Sequence, residues 1–258
     1  MSRSNQASLE AFKPIPLRFG SSTLSRTHFA IRCLVDVQLG TIWDFLAPRL
    51  AALRGNILDV GCGEMPYRTF LPKALVYTGI DVPQATAFSM RGGEDVIAFD
   101  GVSIPFPDAS FDNVLCTEVL EHAARPEALL GEILRVLKPG GTLLATVPFA
   151  ARVHYAPHDF NRFTKYRLDQ MLRSFAEVTI VERGNDLAVI ANKLIVLAIR
   201  MLRPSIWSII QWPLELVLAP VAGAFLVIAH LAMAWDLGSK DDPLGYAVFA
   251  IKPVTPAP

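Results

Sequence analysis

The sequence predicts an α/β fold on a doubly wound, mainly parallel sheet, with an apolar helical insert ahead of the last strand. Three observations predict it. After Gly55, short aliphatic runs alternate with helical stretches, the pattern of strands joined by crossover helices. The first run leads directly into two glycines one residue apart, Gly61 and Gly63, as at a strand-to-helix turn. Over 187–236 only Lys193, Arg200, Arg203, Glu215 and Asp236 are charged, whereas elsewhere about one residue in five is.

The 258 residues and 28.3 kDa allow one large domain, or a domain with an appended module. Twenty-four basic and twenty-four acidic side chains cancel, so the basic excess of a nucleic-acid binder is missing and no nucleic-acid partner is expected. A hydrophobic fraction of 52% and a mean hydropathy of +0.37 exclude intrinsic disorder. Cys33, Cys62 and Cys116 are an odd, widely spaced set, which argues for a reducing compartment and against a disulfide framework or a metal centre. Residues 1–20 contain Arg3, Glu10, Lys13, Pro14 and Pro16 and no apolar run, so they do not read as a signal peptide. The core domain is expected in the cytoplasm.

Residues 1–54 read as an arm followed by helices. Leu34, Val35, Leu39, Ile42, Trp43, Leu46, Leu50 and Leu53 recur at helical spacing, and the pattern predicts two helices broken near Pro48. Strands are predicted at 57–60, 75–81, 96–99, 113–116, 141–147 and 178–181. Between the fourth and fifth, Pro126 suits a first helical turn and Leu130, Ile133, Leu134 and Leu137 share a face. Lys138-Pro139-Gly140-Gly141 is expected to stop that helix.

The turn Leu58-Asp59-Val60-Gly61-Cys62-Gly63 lets backbone approach a ligand closely. Eighteen residues after Gly63, Asp81 ends the second run, where an acid accepts hydrogen bonds from ribose hydroxyls. A dinucleotide fingerprint wants a third glycine at position 66, which is Pro66, and Asp59 would repel a pyrophosphate while suiting an α-ammonium group. The turn therefore favours S-adenosylmethionine over NAD, with a tight turn that binds nothing as the remaining alternative.

Further matching segments are Tyr77-Thr78-Gly79-Ile80-Asp81, Asp100 with 104–112, Glu118-Val119-Leu120-Glu121-His122 and Leu137-Lys138-Pro139-Gly140-Gly141. Through these the sequence resembles the class I S-adenosylmethionine-dependent methyltransferases of the methyltransferase-11 type, over about 55–183. The resemblance implies a seven-stranded Rossmann-like sheet spanning 55–186 plus 245–253, and S-adenosyl-L-methionine as cofactor. It also implies that Asp59, Gly61 and Gly63 hold the methionine moiety, Asp81 the ribose and Asp100 the adenine amino group, with Glu118 beside the cofactor. Methyl transfer from a sulfonium needs orientation more than acid–base machinery.

The loop 148–164 follows the fifth strand, at the sheet edge where acceptors bind in such folds. His154 and His158 are candidate bases for a hydroxyl acceptor. The alternative is that Asp159 and Arg162 pin the loop and Thr164 caps the next helix. For His122 a structural or cofactor-shell role is expected, and for Cys62 and Cys116 simple packing.

Residues 187–244 read as the insert. Lys193, Arg200 and Arg203 fall on one face of an apolar helix, which suits a membrane interface. Over 206–235, Pro213 and Pro220 are expected to kink the helix, and Trp207, Trp212 and Trp235 to act as interfacial anchors. In the resembled fold, 246–251 is a seventh, antiparallel strand beside the fifth, so both ends of the insert stay on one side of a membrane. A monotopic hairpin is the expectation; two crossings, or a soluble cap or dimer interface, are the alternatives.

Together these features point to a methyltransferase bound peripherally or monotopically at a membrane and acting, through O-methylation, on a lipophilic or lipid-linked acceptor. A soluble small-molecule methyltransferase that uses the insert to dimerise is one alternative. A catalytically silent cofactor-binding membrane scaffold is the other.

Overall fold

The computed structural model describes residues 17, 19–88, 95–202 and 208–254. Seven strands form one sheet in the order β3-β2-β1-β4-β5-β7-β6: β1 (Asn56–Val60), β2 (Val76–Asp81), β3 (Ile97–Ala98), β4 (Phe111–Thr117), β5 (Leu137–Pro148), β6 (Glu177–Arg183) and β7 (Gly245–Ile251). β7 lies antiparallel between β5 and β6, and the other pairings are parallel. This is the predicted doubly wound sheet, with the last strand beside the fifth.

Alternation along the strands divides the core between two faces. Leu58 and Val60 pack with Leu129, Leu130 and Ile133 of α3 (Pro126–Val136) and Leu168 of α4 (Lys165–Met171). Ile57 faces the other way, toward Ile42, Phe45, Leu46 and Leu50 of α2 (Val37–Ala52). Each such side chain contributes roughly 1.5–3 kcal/mol on full burial. Cys62 and Cys116 are both buried, as packing residues should be.

Two local expectations are corrected. The N-terminal helices, α1 (Thr23–Val35) and α2, break at Asp36 and not near Pro48. The Asp36 carboxylate accepts from the Leu39 N–H at 3.2 Å and starts the second helix. Pro48 sits inside α2 on an exposed position, where it lacks the N–H that would otherwise bond the Asp44 carbonyl. The Lys138-Pro139-Gly140-Gly141 segment does not itself stop α3. That helix ends at Val136, and β5 runs through the segment with Gly140 at φ +75°.

From β6 the chain enters α5 (Asp186–Met201), capped by Asn185, whose side chain accepts from the Ala188 N–H at 2.9 Å. It returns through α6 (Ser208–Ala234) to β7. Ala188 and Ala191 meet Ala229, with Val37 and Leu244 in the same small core. The expected kinks do not break α6, which is continuous through Pro213 and Pro220. Over Trp212–Ala234 it is long and apolar enough to cross a membrane, at mean hydropathy 2.3 and only 17% buried. Trp212 and Trp235 are exposed near its two ends, while Arg203 and Trp207 lie outside the described residues.

Candidate active site

The turn after β1 has Gly61 at φ +67° and Gly63 at φ +50°. A Cβ on Gly61 would come within 2.5 Å of Val119 Cγ2, so only glycine fits. The amide hydrogens of the turn are used inside the fold. Gly61 and Cys62 donate to the Ile80 carbonyl at 2.8 and 3.1 Å, and Gly63 donates to Asp81 Oδ2 at 2.8 Å. Loops that grip phosphate do so with free N–H groups. This turn has none to offer from those three residues and suits a cationic group instead.

Asp59 supplies the matching charge. It is 2% exposed and accepts from the Tyr77 hydroxyl at 2.6 Å. Burial lifts its carboxyl to about 7, against the lowering effect of Tyr77. Burial likewise raises the Asp81 carboxyl, which the Gly63 and Val82 amides partly offset. Two backbone donors occupy only part of the acceptor capacity of Asp81, so ribose hydroxyls can still be taken. The described residues thus fit S-adenosylmethionine: an acid for an ammonium, and a second acid for a diol.

Glu118 follows the end of β4 at φ +53°, a conformation uncommon away from glycine. It is held by Arg183 Nη2 at 2.9 Å. Arg183, the last residue of β6, is buried and also donates to Val147 O at 3.1 Å and Gln38 O at 3.3 Å, tying α2, β5 and β6 to the site. None of the sequence motifs singles out Arg183. Its one signal is a cation ending a strand just before Gly184-Asn185.

A cleft of about 590 Å³ gathers Asp59, Gly61, Gly63, Glu118 and His154. Asp81 does not line it but is tied to it through Gly63. Asp100 stands apart, exposed, accepting from the amides of Val102 and Ser103 at 2.8 and 2.6 Å. His158 is exposed too, and its carbonyl oxygen receives His122 Nδ1 at 2.6 Å, which gives His122 the expected structural role. Leu39 and Ile42 of α2 and Lys193, Ile195, Val196 and Ile199 of α5 line the same cleft. The insert therefore reaches the site, a contact that no motif in the sequence predicts.

The loop after β5 is pinned by its own side chains, one of the two expected arrangements. Arg162 grips Asp159 with both nitrogens, at 2.6 and 2.8 Å, and Thr164 caps α4. Burial opposes ionisation of Asp159, but Arg162 and the His154 amide outweigh it and hold the carboxyl low. His154 Nδ1 lies 3.1 Å from Arg152 O and 3.3 Å from Asp159 Oδ2, so this nitrogen carries the proton and Nε2 is the free lone pair.

Residues 58–145 match a family model described as a methyltransferase domain. A fatty-acid O-methyltransferase of Mycolicibacterium smegmatis is 32% identical over 139 residues, 51% of this chain and 50% of that protein. A sterol 24-C-methyltransferase of Neurospora crassa is 38% identical over 98 residues, 34% of this chain and 26% of that protein. The chain thus spans half or less of the length of these two relatives. Among solved structures, a SAM-dependent methyltransferase from Archaeoglobus fulgidus superposes with TM-score 0.52 at 16% identity, covering 87% of this chain and 99% of that one. The [4+2]-cyclase SpnF superposes at 0.51 and 22% identity, covering 95% of this chain and 100% of that one. Both structures share the fold, and the cyclase illustrates that the fold alone does not dictate the reaction.

Proposed function

Because this chain carries a class I S-adenosylmethionine-dependent methyltransferase domain of the methyltransferase-11 type, we propose that it methylates a hydroxyl of a lipophilic or lipid-linked acceptor at a membrane surface. One observation carries the reading: a single cleft is lined both by the glycine turn and Asp59 and by the apolar residues Ile195, Val196 and Ile199 of the insert. An acceptor with an aliphatic body lies along α5 and brings its polar end to the turn. The similarity to a fatty-acid and a sterol methyltransferase supports that acceptor class.

S-adenosylmethionine supplies an electrophilic methyl on a positively charged sulfur. The chain's part is to hold and aim. Asp59 and the Gly61–Gly63 turn bind the ammonium end, Asp81 the ribose, and Glu118, fixed by Arg183, borders the reacting end. His154, the loop histidine that lines the cleft, handles the proton of the acceptor hydroxyl. His158 is exposed and outside the cleft, so that role does not fall to it.

Membrane attachment runs through α6, with its apolar side chains facing outward and Trp212 and Trp235 near its ends. Arg200 near the end of α5 meets anionic headgroups, contributing about 1 kcal/mol, whereas Lys193 lines the cleft. At 16 residues α5 is about 24 Å long, short of the roughly 30 Å hydrocarbon layer. A single crossing by α6 would leave β7 on the wrong side from β5 and β6, so a one-leaflet hairpin on the cytoplasmic side is the fitting arrangement.

The test is incubation of the purified protein with methyl-labelled S-adenosylmethionine and a total lipid extract. Label moving into an organic-soluble product, identified as a methyl ether or ester, supports the reading. Label found only in water-soluble products sinks the acceptor class.

A further inference from the structure

We propose that Glu121, His122 and His154 bind one divalent transition-metal cation beside the cleft. One ligand atom from each of these side chains lies within 4.8 Å of the others. Glu121 Oε1 is 3.5 Å from His122 Nε2 and 3.9 Å from His154 Nε2. Bonds of about 2.1 Å to a common cation set neighbouring donors about 3.0–3.4 Å apart, so small side-chain rotations close the site.

The polar accounting leaves room for a guest. Glu121 is wholly buried, yet neither carboxylate oxygen has a hydrogen-bond partner among the described residues. His122 Nε2 is buried and unpartnered as well. Unmet buried acceptors facing one another are costly, and three acceptors with no donor among them call for a positive charge.

Both imidazoles are already oriented as ligands. His122 Nδ1 is fixed on the His158 carbonyl, and His154 Nδ1 on Arg152 O and Asp159 Oδ2. Each Nε2 therefore presents its lone pair, the outer support that metal-binding histidines receive. Arg162 in turn locks Asp159. Two imidazoles and one carboxylate favour Zn2+, Mn2+ or Fe2+ over Ca2+ or Mg2+. Glu121 and His122 come from the turn after β4, and His154 from the loop after β5, so the cation joins the two loops at the carboxyl edge of the sheet.

The cation's role rests on the methyl-transfer reading, whereas its binding does not. The cation takes the same Nε2 lone pair of His154 that accepts the hydroxyl proton in the metal-free protein, so binding competes with that role.

Tag-free protein stripped with a chelator is titrated with Zn2+ and with Mn2+ by calorimetry, without cofactor or acceptor, and metal content is counted by elemental analysis. One cation per chain is expected, with affinity at least tenfold weaker in His154→Gln and unchanged in His158→Gln. Because Glu121 is wholly buried and its variants risk misfolding, the cleft-wall variant His154→Gln carries the test. No saturable uptake would mean that a neutral Glu121 donates to His122 instead, and would overturn the site. Equal affinity in wild type and His154→Gln would overturn it too. S-adenosylmethionine affinity, measured separately on the same samples, reports on the cofactor reading independently.

Discussion

The sheet and the α5–α6 hairpin are both rich in aliphatic side chains, yet they use them in opposite ways. Along β1, the four residues after Asn56 are buried, and even the carboxylate of Asp59 is taken into the core. Along α6, Leu216 is 80% and Val227 59% exposed. Hydropathy measures a side chain's preference to leave water and says nothing about what takes it in. In the sheet the receiving medium is the protein itself. For the hairpin it is proposed to be lipid, with chemistry in one region and attachment in the other. That division predicts separable effects.

The largest effect belongs to the sheet side of the cleft. His154→Gln is expected to lower turnover about 10²–10⁴-fold while leaving S-adenosylmethionine affinity and membrane flotation unchanged. His158→Gln is expected to turn over nearly normally, and steady-state kinetics on the pair reads both.

Asp59 sharpens the contrast in burial. Its carboxyl ionises at about 7 in the fold. In the unfolded chain it ionises near the ordinary value of about 3.9. The raised pKa means that its favourable contribution is complete below about pH 4 and is lost as pH rises through 7. Relative to Asp59→Asn, the wild type is expected to lose up to about 4 kcal/mol across that window. Urea unfolding at several pH values measures it, and parallel curves for the two proteins would contradict the buried assignment.

On the hairpin, Leu216→Glu with Val227→Glu is expected to leave solution stability and cofactor affinity near wild type, because both sites are exposed. Each charge costs about 2.5–3.5 kcal/mol at the middle of a membrane and less nearer its surface, so liposome flotation should fall steeply. Unchanged flotation, or a wild type that stays monodisperse without lipid, would make the hairpin a protein–protein surface.

The smallest effect is at the ribose end. Asp81→Ala removes the acceptor of two backbone N–H groups and the diol contact together and is expected to weaken S-adenosylmethionine binding about tenfold or more. An unchanged calorimetric affinity would remove Asp81 from the cofactor site.

Much of the fold and of the cofactor turn is legible in the chain's local chemistry. The two glycines, the acid ending β2, the alternation of strands and helices, and the Asp159–Arg162 pin are written at short range, where dihedral limits and hydrogen-bonding capacity act on neighbours. The sequence misleads where short-range signals compete. Pro48 predicts a break, but Asp36 caps the helix that contains it, and Phe45, Leu46 and Leu50 on both sides of Pro48 are held in the core. Lys138-Pro139-Gly140-Gly141 predicts a stop, but the flanking Leu137 and Thr142 pair with Phe111 and Asn113 of β4, and the chain between them continues as β5.

What the sequence determined by itself is the sheet, the glycine turn and the apolar excess of 187–236, since each follows from side-chain type and spacing along a continuous stretch. What only the tertiary structure decided is which distant residues meet. Arg183 reaches Glu118 across 65 positions, α5 folds back to wall the cleft, and Glu121 and His122 come to face His154. Those meetings depend on β7 entering between β5 and β6 and on two loops leaving the same sheet edge, and no local pattern of residues encodes the distance between chain segments so remote.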